Sequence, residues 1–132
     1  MQPHYDPDAP HRVLVMMLAD ELDRRTQSTL TARCAGDAEV RAVASAGDRL
    51  DVLRGVLEPR GIPTEVALGD SDPTQAAEDE IARFNPDELI VVMHAVGEEE
   101  AEERHLSAKL RGRFLMPMTF IRAQPQGVIS AD

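Results

Sequence analysis

The stretch GDSDPTQAAEDEIARFNPDELIVVMH, Gly69 to His94, decides the fold. Asp72 is a natural N-cap, and Pro73 stands at the first helical position, where its missing N–H leaves nothing unsatisfied. Gln75, three residues after Asp72, has the spacing of a capping box. Ala77, Ile81 and Phe84 then fall on one helical face, and Asn85-Pro86 stops the helix, predicted over 72–84. Leu89 to Met93 is an unbroken apolar run, the pattern of a strand covered on both faces by helices. A helix leading into such a strand, predicted over 87–93, is half of a βαβ unit.

The same alternation extends in both directions. Upstream, Arg12–Leu18 is a second buried-strand run, and a helix is predicted over Ala19–Cys34. Asp20 and Glu21 would load its first turn, where the dipole favours acids, and would pair with Arg24 and Arg25 at i,i+4. Leu18, Leu22, Leu30 and Cys34 form its inward face, diluted by Thr26. Gly36-Asp37 breaks the pattern, and a partly alternating strand follows over Ala38–Ser45. A short amphipathic helix carrying Leu50, Leu53 and Leu57 begins with Asp48 as N-cap and closes at Pro59 and Gly61. Pro63–Leu68 is the next strand. Downstream of His94, a helix over Glu98–Arg113 begins acidic and ends basic, with Leu106, Leu110 and Phe114 inward. The last strand is Met116–Arg122, where Pro117 is tolerable only near the start or on an edge. The order β-α-β-α-β-α-β-α-β implies a parallel sheet with right-handed crossovers and helices on both faces, a three-layer α/β/α sandwich. Ligands in such sheets bind beyond the carboxyl ends of the strands, where strand order reverses.

Composition narrows the function classes. At 132 residues the chain is one α/β domain over 12–122, preceded by an irregular Pro/Asp/His-rich arm (1–11) and followed by a polar tail (123–132). With 24 acidic against 14 basic residues and a formal charge of −10, and with Lys and Arg scattered rather than clustered, a nucleic-acid partner is not expected. No apolar run approaches the roughly 20 residues of a membrane span, and residues 1–10 carry no signal-peptide pattern. One cysteine, Cys34, suits a reducing, cytoplasmic compartment.

Residues Arg12-Val-Leu-Val, Gly61-Ile-Pro-Thr-Glu-Val, Gly69–Ala77, Asp87–Met93 and Phe114–Ile121, in that order and spacing, resemble the universal stress protein family over residues 12–122. The resemblance implies a five-stranded sheet in order 3-2-1-4-5, of the adenine nucleotide alpha hydrolase-like type, and a homodimer formed through the last strand, with Met116, Met118 and Phe120 at the interface. Many members of that family bind ATP through G-x-x-G, nine residues, then G-S/T after strand four. Here Gly97 can stand for the first glycine, but Glu100 occupies the second position, and Leu110-Arg111 replaces the Gly-Ser pair. Five glutamates within 98–103 also compete with phosphate for the helix dipole. ATP and AMP are therefore disfavoured, and no cofactor is expected.

Other chemistries find little support. His4, His11 and His105 have no metal-site spacing, so no metal is expected; only His94 ends a central strand, as a cap or as part of a cleft floor. A receiver-domain reading lacks the lysine after strand five. No nucleophile elbow, Walker loop or reactive-cysteine pairing is present, so no catalytic residue is assigned. The expected cleft is lined by Leu18, Ala19, Asp20, Ser45, Met93, His94 and Gly97 and takes an unidentified small molecule in a regulatory, non-enzymatic domain. The alternatives are an interaction module with an empty or vestigial cleft, or a nucleotide-binding member with a non-standard loop.

Overall fold

The computed structural model describes residues 11–94 and 99–124. The expected arm, tail and Gly97 fall, apart from His11, Ala123 and Gln124, outside these residues. The chain alternates β1 (Arg12–Met17), α1 (Arg24–Cys34), β2 (Glu39–Ala44), α2 (Gly47–Leu57), β3 (Thr64–Leu68), α3 (Pro73–Phe84), β4 (Glu88–His94), α4 (Glu99–Arg113) and β5 (Met118–Ala123). All neighbouring strands pair parallel in the order β3-β2-β1-β4-β5. The fold class and strand order agree with the sequence reading.

The unbroken apolar runs work as anticipated. In β1, Val13, Val15 and Met17 enter one core with Leu30 and Cys34 of α1 and Leu50, Leu53 and Leu57 of α2. Leu14 and Met16 enter the other, with Ala77 of α3 and Leu106 and Leu110 of α4. β4 divides likewise: Ile90 and Val92 face α1 and α2, while Leu89, Val91 and Met93 face α3 and α4. The sheet is thus a middle layer covered on both sides, and its central strands have no solvent face.

Helix α3 starts and stops as read. The Asp72 carboxylate accepts from Thr74 N at 3.0 Å, and Asn85 closes the helix in the left-handed region at φ 52°. The capping box does not form, because Gln75 Nε2 donates instead to Asp79 Oδ1 one turn on. Helix α2 begins at Gly47 after Ala46, with Asp48 inside its first turn rather than capping. Pro59 lies in a one-turn 3-10 segment that Gly61 ends at φ 78°, a conformation suited to glycine.

The largest departure is at α1, which begins at Arg24 rather than near Ala19. Leu18 N and Ala19 N both donate to Val92 O, at 2.9 and 3.1 Å, which carries the chain off β1 across the end of β4. Asp23 then caps the helix, accepting from Thr26 N at 3.4 Å and from the Thr26 hydroxyl at 2.5 Å. Thr26, which dilutes the apolar face, is therefore part of the cap. Asp20 and Glu21 precede the helix, so neither forms the expected helical pair with Arg24 or Arg25.

One buried polar arrangement interrupts the α3 side. Glu80 of α3 is 1% exposed and accepts from Arg41 Nε of β2 at 2.5 Å and from Arg83 Nη1 at 2.9 Å. Arg41 also pairs with Glu65 on β3. A charged bracket thus ties β2, β3 and α3 where the apolar core thins toward the sheet edge.

Candidate functional site

The carboxyl ends of β1 and β2 open into a cavity of about 300 Å³, at the small end of the range for ligand pockets. Its floor is apolar: Met16 and Leu18 from β1 and the turn after it, Val43 from β2, Ala76 from α3 and Leu106 from α4. One wall is the turn from β3 into the first turn of α3, Asp70 to Thr74. The opposite wall is α4, through Glu102, Glu103, His105 and Lys109, and Arg49 of α2 and His94 lie at the mouth. Gly69 brings the two sides together. A Cβ there would lie 2.7 Å from Val43 Cγ2 and 3.0 Å from the Ala76 side chain, so only glycine lets the β3–α3 turn pack this closely.

His94 is held from two elements. Its backbone N donates to Glu103 Oε1 at 2.8 Å and its ring Nδ1 to Glu103 Oε2 at 2.8 Å, so one buried carboxylate clamps both the end of β4 and the imidazole. The ring Nε2 lies 3.6 Å from Asp20 Oδ2. Asp20 in turn accepts from Arg49 Nε at 2.9 Å. That hydrogen bond holds the Asp20 carboxyl below its ordinary range; partial burial opposes the shift, and the Arg49 charge and the His94 ring add to it. The result is an alternating row, Glu103, His94, Asp20, Arg49, that joins α4, β4, the β1–α1 turn and α2 along the mouth.

The expected cleft residues separate into groups. Leu18, Ser45 and His94 line the cavity. Asp20 stands at its rim through His94 and Arg49. Ala19 is buried in the core beneath α1 and α2, on the far side of the sheet, and Met93 is buried in the core beneath α3 and α4. Gly97 lies outside the described residues. Sequence reasoning missed the whole α3 wall, although Asp72 and Pro73 were in view as helix-start residues. It also missed Glu103, which looks like one more solvated glutamate of an acidic helix start but is 7% exposed. Its position four residues into α4, facing the end of β4, was the only available signal.

The last strand lies at a sheet edge. Met116, Met118 and Phe120, expected at a dimer interface, are half-buried against the α3–α4 core, and the Arg111 guanidinium sits 4.5 Å from the Phe120 ring centroid. Among the described residues no group of three or more His, Cys, Asp or Glu could hold a metal ion, and no helix is long and apolar enough to cross a membrane. Neither a scan against protein-family models nor a search of curated proteins returns a match for this sequence.

Proposed function

We propose that the chain is a cytoplasmic, non-enzymatic regulatory binding domain resembling the universal stress proteins, which takes a small molecule in the cavity above β1 and β2 and does not use that family's usual ATP mode. The observation that carries this reading is the cavity itself. It lies beyond the carboxyl ends of β1 and β2 and reaches His94 beside the β1–β4 switch point, the place where ligands of doubly wound sheets bind, and it pairs an apolar floor with a polar mouth. Two features weigh against a triphosphate. The turn after β1 is drawn over the β1–β4 crevice by the paired hydrogen bonds to Val92 O. Four carboxylates, Asp70, Asp72, Glu102 and Glu103, line the cavity against two cations, Arg49 and Lys109, and repel a polyanion at short range.

Native mass spectrometry of protein purified without added ligand tests the binding reading. A non-covalent small molecule should accompany the wild-type chain and be absent from Ser45→Phe, whose ring would fill the cavity. Equal spectra without any adduct would favour an interaction module with a vestigial cleft. Thermal melts with millimolar ATP and Mg²⁺, or with AMP, should not move; a rise of several degrees would overturn the rejection of the nucleotide mode.

A homodimer through β5 belongs to the same proposal. Among the described residues the strand has a neighbour on one side only, which offers its outer backbone groups to a twin, and its half-buried Met118 and Phe120 leave apolar surface beside them. Light scattering at high micromolar concentration should report a dimer that Met118→Asp weakens. A wild-type monomer would remove this part of the proposal.

A further inference from the structure

We infer that the cavity selects a small primary amine with an apolar body, its ammonium group seated against the α3 wall; this rests on the reading of the cavity as the ligand site. The α3 wall supplies acceptors that the fold leaves available. Asp70 uses Oδ1 to accept from Asp72 N at 2.8 Å, and Asp72 uses Oδ1 to accept from Thr74 N at 3.0 Å. The second oxygen of each carboxylate has no hydrogen bond among the described residues. Thr74 adds an observation independent of the carboxylates. It is 9% exposed and lines the cavity, and its hydroxyl is without a hydrogen-bond partner among the described residues. Thr74 Oγ1 is not among the fully enclosed side-chain atoms that lack a partner, so it keeps accessible surface, and a ligand in the cavity that Thr74 lines can supply its hydrogen bond. Two carboxylate oxygens and a hydroxyl match the three N–H donors of a primary ammonium.

The charge balance points the same way. Arg49 is engaged by Asp20 and Glu103 by His94, which leaves Lys109 facing Asp70, Asp72 and Glu102. The cap formed by Asp72 already answers the positive end of α3, so little is left there for an anion. The chain's net charge of −10 extends the preference outward, concentrating cations near the mouth. Among the described residues no Phe, Tyr or Trp lines the cavity, which disfavours a quaternary ammonium held in an aromatic cage. Met16, Leu18, Val43 and Leu106 form the apolar floor for the remainder of the ligand.

The test uses three probes of matched shape, benzylamine, benzyl alcohol and benzoate, titrated into the full chain while the backbone amides of Thr74, Ala76 and Leu106 are followed by NMR. Benzylamine should move these amides with the highest affinity and benzoate the lowest. Asp70→Asn, which keeps the acceptor used by Asp72 N, should weaken benzylamine about two- to fivefold and leave benzyl alcohol unchanged, and Lys109→Met should strengthen benzylamine by a similar factor. Raising salt from about 10 mM to about 150 mM should erode the benzylamine preference. If benzoate or benzyl alcohol binds as well as benzylamine, or if both variants leave benzylamine unchanged, the amine inference fails while the cavity remains a ligand site. If no probe moves these amides, the cavity reading fails and the inference with it.

Discussion

Substituting Glu80 with methionine removes a carboxylate that is 1% exposed and leaves Arg41, whose side chain is 15% exposed, with Glu65 as its remaining acid partner. Breaking a buried ion pair from one side costs about 3–5 kcal/mol, because the surviving charge stays desolvated. Glu65 still pairs with Arg41, and the guanidinium side chain keeps some contact with water, which places the expected loss near the lower end, about 3 kcal/mol. With a urea m-value of about 2 kcal/mol/M, the unfolding midpoint should fall by about 1.5 M. The double substitution Arg41→Met/Glu80→Met should recover most of that loss and lie within about 1 kcal/mol of wild type, since apolar residues of similar volume replace a buried pair at little net cost. Urea unfolding followed by circular dichroism measures all four corners of the cycle, with Arg41→Met as the fourth. A Glu80→Met loss below about 1 kcal/mol, or a double mutant whose loss is the sum of the singles, would refute the coupling drawn between β2 and α3.

Gly69→Ala would push a methyl group to 2.7 Å from Val43 Cγ2; overpacking of this kind costs about 1–3 kcal/mol, read as a drop of about 4–12 °C in Tm by calorimetry. Asp23 caps α1 and also accepts from Gln124 N at 3.0 Å, so Asp23→Ala should destabilise by about 1 kcal/mol at neutral pH. Burial raises the Asp23 carboxyl, but the Thr26 hydroxyl and the Gln124 and Thr26 amides outweigh it and hold it below the ordinary 3.8. A carboxyl depressed in the folded state stabilises above the unfolded value, and that contribution disappears as pH falls through the folded one. The gap between wild type and Asp23→Ala should therefore be constant above about pH 5 and close in stronger acid, as followed by urea unfolding at stepped pH. Burial, assisted by the nearby Glu88 charge, pushes the Cys34 thiol up to about 12. At pH 8 a disulfide reagent should label Cys34 only when urea unfolds the chain, and rapid native labelling would contradict its burial.

The strongest elements were legible in the sequence because their signals are local. The Asp72-Pro73 start, the Asn85 stop and the β4 run each lie within a few residues, and each is formed as read, as are the two unbroken strand runs at the centre of the sheet. The misreadings share a cause as well. Asp20-Glu21 has the composition of a first helical turn, yet Ala19 and Leu22 are claimed by the core and the backbone at Leu18 and Ala19 by Val92, so Asp23 receives the cap. Glu103 belongs to a run of five glutamates, and only its distance from the end of β4 sets it apart. Ala19 and Met93 were assigned to the cleft by proximity along the chain, but the bend after β1 buries Ala19 in one core and the pleat of β4 turns Met93 into the other.

By itself the sequence determined the element order, the parallel sheet and the two helical layers, because the periods of burial for strands and helices are written into neighbouring residues. Only the tertiary structure decided which charges meet. Arg49 reaches Asp20 across 29 residues and Arg41 reaches Glu80 across 39, and the cavity wall joins the start of α3 to α4. Such partners are fixed by which strand ends lie side by side and how closely Gly69 lets the layers approach. Those distances arise from the packed sheet and have no counterpart in local spacing.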